Sequence, residues 1–127
     1  MIGHNFKTIF TALKPILKKY EKNLVVKADT EEKYFLYTPT LPDGKLVYKN
    51  DTLYFGGVEI KKNYVSFHLM AVYMFPELVK NISPELKKRM QGKSCFNFKK
   101  EDEKLFTELK ELTEICFKKY KLEKYLK

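Results

Sequence analysis

Residues able to do chemistry are few in this chain, and each small group of them can be tested against the spacing its chemistry requires. Gly92-Lys93-Ser94 has the closing residues of a phosphate-binding loop, in which backbone N–H groups cradle the phosphate and the lysine neutralises it. Such a loop needs a second glycine five positions earlier, where Lys87 stands, and a strand ahead of it, where the spacing predicts a helix. Gly92 is therefore read as the left-handed stop of that helix. Cys95 and Cys116 are the only thiols, and a thiol becomes a nucleophile when a base stands beside it. The only imidazoles are His4, close to the start, and His68, on an expected strand, and no sequence spacing brings either to a cysteine. Both thiols are read as structural. His68, Ser66 and Glu59 are hydrolase ingredients, but strand alternation sets them side by side on one sheet face without a nucleophile elbow. For metals there is no HExxH, no Cys/His cluster and no EF-hand loop. The acidic runs Glu31-Glu32 and Glu101-Asp102-Glu103 fit a turn and a helix start. No catalytic residue, metal or cofactor is expected.

The elements that must position these residues follow from periodicity. Phe6, Ile9, Phe10, Leu13, Ile16, Leu17 and Tyr20 recur at steps of three and four and predict one face of a helix, with Lys7, Lys14, Lys18 and Lys22 opposite. Pro15 predicts a kink, or a helix that begins nearby. Leu24 to Lys27 and Lys33 to Thr38 read as strands separated by a turn at Asp29-Thr30. Pro39, Pro42, Asp43-Gly44 and Asn50-Asp51 break the chain around a short strand at Lys45 to Lys49. Prolines beside Glu77 and Glu85 suit the first turns of two short helices, the second capped by Ser83, and Ser94 to Phe98 reads as a short edge strand. The last helix opens on Glu101-Asp102-Glu103 and closes on Lys118, Lys119 and Lys121, a charge order that complements the helix dipole. Leu105, Leu109, Leu112, Cys116 and Tyr120 share its apolar face.

Between these lies the most informative stretch, a hairpin of Thr52 to Lys61 and Tyr64 to Ala71 with Lys62-Asn63 at its tip. That tip sets Ile60 opposite Val65, Val58 opposite Phe67 and Gly56 opposite Leu69, which makes one face apolar. The other face carries Phe55, Glu59, Tyr64, Ser66, His68 and Met70, and these six are the candidate binding residues. Two single-arc helices cover one side of a sheet, so this face is either a recognition surface or is closed by the short helices, with His68 then a hydrogen-bonded core residue.

The whole predicts a single α+β domain over residues 1–127, an antiparallel sheet with N- and C-terminal helices packed on one face. The net charge of +9 points to acidic partners, but Arg89 is the only arginine, and lysine lacks the planar fork that reads bases. Lysines alone imply weak, sequence-blind nucleic-acid binding. No segment has the length of a membrane span and the start lacks a signal peptide's apolar run, so a cytoplasmic location with reduced thiols is expected. A complete core without a convergent catalytic set reads as a non-enzymatic binding or adaptor module with an unidentified protein partner.

The run Tyr64-Val65-Ser66-Phe67-His68-Leu69-Met70, followed by Pro76-Glu77-Leu78 and by Ile82-Ser83-Pro84-Glu85-Leu86-Lys87-Lys88-Arg89-Met90-Gln91-Gly92-Lys93-Ser94-Cys95-Phe96-Asn97-Phe98, resembles the YdhG-like family of domains of unknown function. The likeness extends to Leu105-Phe106 and the last helix. It implies an arrangement similar to frataxin, and some such relatives are described as iron chaperones. Frataxin-type iron binding relies on an acidic ridge along the first helix. Here that segment carries lysines, with Glu21 its only acid, so the iron activity does not carry over residue by residue.

Overall fold

The computed structural model describes residues 2–39 and 52–126. The first helix, α1 (Ile2–Lys18), runs through Pro15 instead of starting beside it and ends at Lys18, so Glu21 falls in a separate 3-10 turn at Glu21–Asn23. Strands β1 (Val25–Asp29) and β2 (Lys33–Tyr37) follow. Their turn is held by Thr30, whose hydroxyl accepts from the N–H groups of Glu32 and Lys33. Strands β3 (Tyr54–Ile60) and β4 (Val65–Leu69) form the hairpin, and α2 (Met70–Met74), a 3-10 turn (Pro76–Val79) and α3 (Pro84–Lys87) come next. Ser83 caps α3 by accepting from the Leu86 N–H. A second hairpin, β5 (Met90–Gln91) and β6 (Cys95–Phe98), leads into α4 (Glu103–Leu122), capped by the Asp102 carboxylate on the Leu105 N–H. The strand expected at Lys45 to Lys49 and the turns at Pro42, Asp43-Gly44 and Asn50-Asp51 lie outside the described residues.

The strands make one antiparallel sheet in the order β1-β2-β3-β4-β6-β5. Two expectations change as a result. Ser94 to Phe98 is not an edge, because β5 pairs outside it. Gly92 has the anticipated positive φ of 74°, but α3 already ends at Lys87, so the glycine serves the turn between β5 and β6. The β3–β4 register is the expected one, with Ile60 facing Val65, Val58 facing Phe67 and Gly56 facing Leu69. Helices α1 and α4 cover one side. Phe6, Ile9, Leu13 and Leu17 of α1 and Leu109, Leu112, Cys116 and Tyr120 of α4 are buried there with Val58, Val65, Phe67 and Leu69.

Two bulges interrupt the alternation. In β1, Val26 pairs with Leu36 and Ala28 with Phe35, which leaves Lys27 as an extra residue. In β3, Gly56 pairs with Leu36 and Tyr54 with Tyr37, so Phe55 is the extra one. The second bulge decides which aromatic goes where. Phe55 turns to the helices, fully buried against the rings of Tyr20, Phe117 and Tyr120 at 6.1, 6.0 and 5.4 Å. Tyr54 takes the opposite side, and its carbonyl accepts a hydrogen bond from the Tyr120 hydroxyl at 2.5 Å.

Candidate functional site

The side of the sheet away from α1 and α4 is built from cross-strand rows. Lys33, Glu59, Ser66 and Asn97 form one, and Phe35, Gly57, His68, Cys95 and Gln91 the next. Tyr37 and Tyr54 make a third. At the centre Gly57 contributes no side chain, and the space is taken by its neighbours: a Cβ there would collide with the Tyr54 hydroxyl and the Phe35 ring. Phe35 and Tyr37 pack against Tyr54 at 6.1 and 5.1 Å between centroids, and Tyr54 meets the His68 ring edge-on at 5.1 Å. Together with Glu59, Lys61, Ser66 and Cys95 these residues line a cleft of about 260 Å³. Glu59 sits at its rim, its carboxylate bridged by Lys61 at 3.2 Å and Lys33 at 3.7 Å.

The imidazole is held on both nitrogens. Cys95 faces His68 across β4 and β6, which brings Sγ to 3.1 Å from Nδ1. Ser94, the residue before, places its hydroxyl oxygen 2.9 Å from Nε2 while its carbonyl accepts from the Leu69 N–H. With the thiol donating to Nδ1, the Nε2–H donates to Ser94. Such an order of thiol, base and orienting hydroxyl is the arrangement nucleophilic catalysis uses. It also corrects the expectation that neither imidazole stands beside a thiol. Cys116 is different: it is buried on α4, and burial pushes its thiol up to about 12.

Burial holds His68 below the ordinary imidazole value of 6.5. The unfolded chain therefore binds a proton there that the folded chain resists. The His68 contribution to stability is fully present above 6.5 and is lost as pH falls through the lower folded value. Urea midpoints taken at about pH 7 and about pH 5 check this. Wild type is expected to lose more stability over that interval than His68→Gln, and equal losses would contradict the assignment. Tyr54 is shifted too, its hydroxyl held well above the usual phenol range by burial, with smaller contributions from Tyr37, Cys95 and Glu59.

Of the six sequence candidates, Glu59, Ser66 and His68 line the cleft. Phe55 does not, because the bulge turns it to the core. Tyr64 closes the hairpin turn through its carbonyl, which accepts from the Lys61 N–H. Met70 opens α2 instead of extending β4, since the strand ends at Leu69. Sequence reasoning missed Phe35, Tyr37, Tyr54 and Cys95. The adjacent glycines Gly56-Gly57 beside aromatics were the available sign of a bulge and of a floor without side chains. The short helices do not close the face; they pack against α4 and contribute nothing to the cleft wall.

Among the described residues no three or more His, Cys, Asp or Glu side chains are gathered as a metal would need, and no helix is long and apolar enough to cross a membrane. Compared with protein-family models, with curated proteins and with solved structures, the chain matches none.

Proposed function

We propose that the chain is a non-enzymatic binding module that takes up a small, flat ligand in the cleft between Tyr54 and His68. The observation carrying this reading is the cleft itself: three aromatic rings, two of them closing in over Gly57, with a neutral imidazole and a rim carboxylate. Apolar walls with a few placed polar groups are what small-molecule sites use. A flat ring stacked on Tyr54 gains aromatic contact, and His68, Ser66 and Glu59 orient it. The proposal includes kinship with YdhG-like domains, supported by the central motif and by terminal helices on one face of an antiparallel sheet.

A panel of flat aromatic fragments screened by ligand-observed NMR tests the reading. Binding is expected for several fragments, with resonance shifts at Tyr54 and His68, and loss of about tenfold or more in affinity for Tyr54→Ala, worth about 1.4 kcal/mol. Fragments that bind Tyr54→Ala as well as wild type, or a panel without any binder, would remove the support for it.

A further inference from the structure

We propose that Cys95 is a covalent attachment point in this cleft, its thiol adding, with His68 as base, to a small conjugated carbonyl compound seated against Tyr54. The inference rests on the cleft being a small-ligand site. Three placements carry it. Cys95 Sγ lies 3.1 Å from His68 Nδ1, within reach for proton transfer, and Ser94 fixes the ring from its other side at 2.9 Å. Cys95 is half-buried and lines the cleft, so the thiol is open to what the cleft holds. Ser66, two residues from His68 on the same face of β4, is more than nine-tenths buried, lines the same cleft, and its hydroxyl bonds to no described residue. That hydroxyl is not sealed from the cleft, so it is available to donate to a ligand oxygen.

These three groups select the chemistry. The Sγ–H proton passes to Nδ1 as the Sγ–C bond forms at the electron-poor alkene carbon. The alkene π pair shifts toward the carbonyl, and the resulting enolate oxygen accepts a hydrogen bond from the Ser66 hydroxyl. Nδ1 then returns the proton to the carbon next to the carbonyl. Nothing leaves and nothing is oxidised. Burial keeps His68 neutral at rest, so it begins as a base and not as half of an ion pair. The other titratable groups facing the pair are Tyr37, Tyr54, Glu59 and Lys61, and the last two neutralise one another at 3.2 Å.

N-phenylmaleimide, a flat conjugated carbonyl, and iodoacetamide, a compact alkylator that expels iodide, separate the possibilities. Intact-mass kinetics on the native protein are expected to show one adduct, on Cys95, absent in Cys95→Ser and with Cys116 unmodified. His68→Gln is expected to slow both reagents at pH 7 by about tenfold or more, in line with the loss of a general base. Tyr54→Ala is expected to slow N-phenylmaleimide several-fold more than it slows iodoacetamide. Unchanged rates in His68→Gln overturn the thiol–base pair. A His68 effect without that Tyr54 difference between the reagents leaves the pair but overturns the flat ligand, and with it the reading of the cleft. Should His68→Gln fail to fold, the wild-type pH–rate profile decides: an inflection below the free-thiol range supports the pair, and a single one at about 8.5 overturns it.

Discussion

Phe55→Ala is expected to cost about 3–5 kcal/mol of stability, the range for emptying a fully buried phenylalanine site. The ring has no exposed surface and is surrounded by Tyr20, Phe117 and Tyr120, so neither α4 nor the end of α1 can close the space without disturbing the other. Urea denaturation with an unchanged slope gives the figure directly. The measurement bears on the site as well as on the core. Strict alternation through β3 would put Phe55 beside Glu59 on the open face, where truncation costs little. A loss below about 1 kcal/mol would mean that no bulge exists, that Tyr54 faces the helices, and that the cleft has lost its main wall.

The second large effect is expected at Gly56. A Cβ built there would stand 2.8 Å from the His68 backbone oxygen and 3.3 Å from side-chain carbons of Leu17 and Leu69. The nearest obstacle is backbone held in the β3–β4 ladder, which yields less readily than a side chain. Gly56→Ala is expected to lose about 1–3 kcal/mol, the usual cost of overpacking. Because the carbonyl that must yield belongs to His68, the same substitution should also move the NMR resonances of His68 and Cys95. A stable variant with those resonances unmoved would show that Gly56 stands further from the β4 backbone than the 2.8 Å contact implies.

What the sequence made legible was whatever depends on neighbours. The hairpin register followed from a two-residue tip at Lys62-Asn63 and alternating apolar residues, and the long helices followed from their apolar steps. The site depends instead on partners far along the chain. Phe55 and Tyr54 exchange sides because of how β3 meets β2, a property that no pattern within β3 alone carries. Cys95 meets His68 only once β6 lies beside β4, and the intervening β5 is two residues long, too short for any period to show. Gly92 illustrates the same limit: its left-handed backbone was readable, but the element it serves was not. Burial of His68 could not be inferred either, because two of the three rings that wall the cleft belong to β2.

The bulge at Lys27 bears on how this molecule meets its own copies in a crowded solution. Among the described residues β1 is the outer strand of the sheet, with Val25 and Val26 37% and 36% exposed. A straight, valine-bearing border of that kind is a template onto which another chain can grow, strand by strand, toward an aggregate. Here the row of donors and acceptors is stepped between Val26 and Ala28, and the residue at the step is a lysine. An incoming strand in register with Val25 and Val26 falls out of register one residue later, beside a positive charge that a second copy of the same lysine-rich chain would repel.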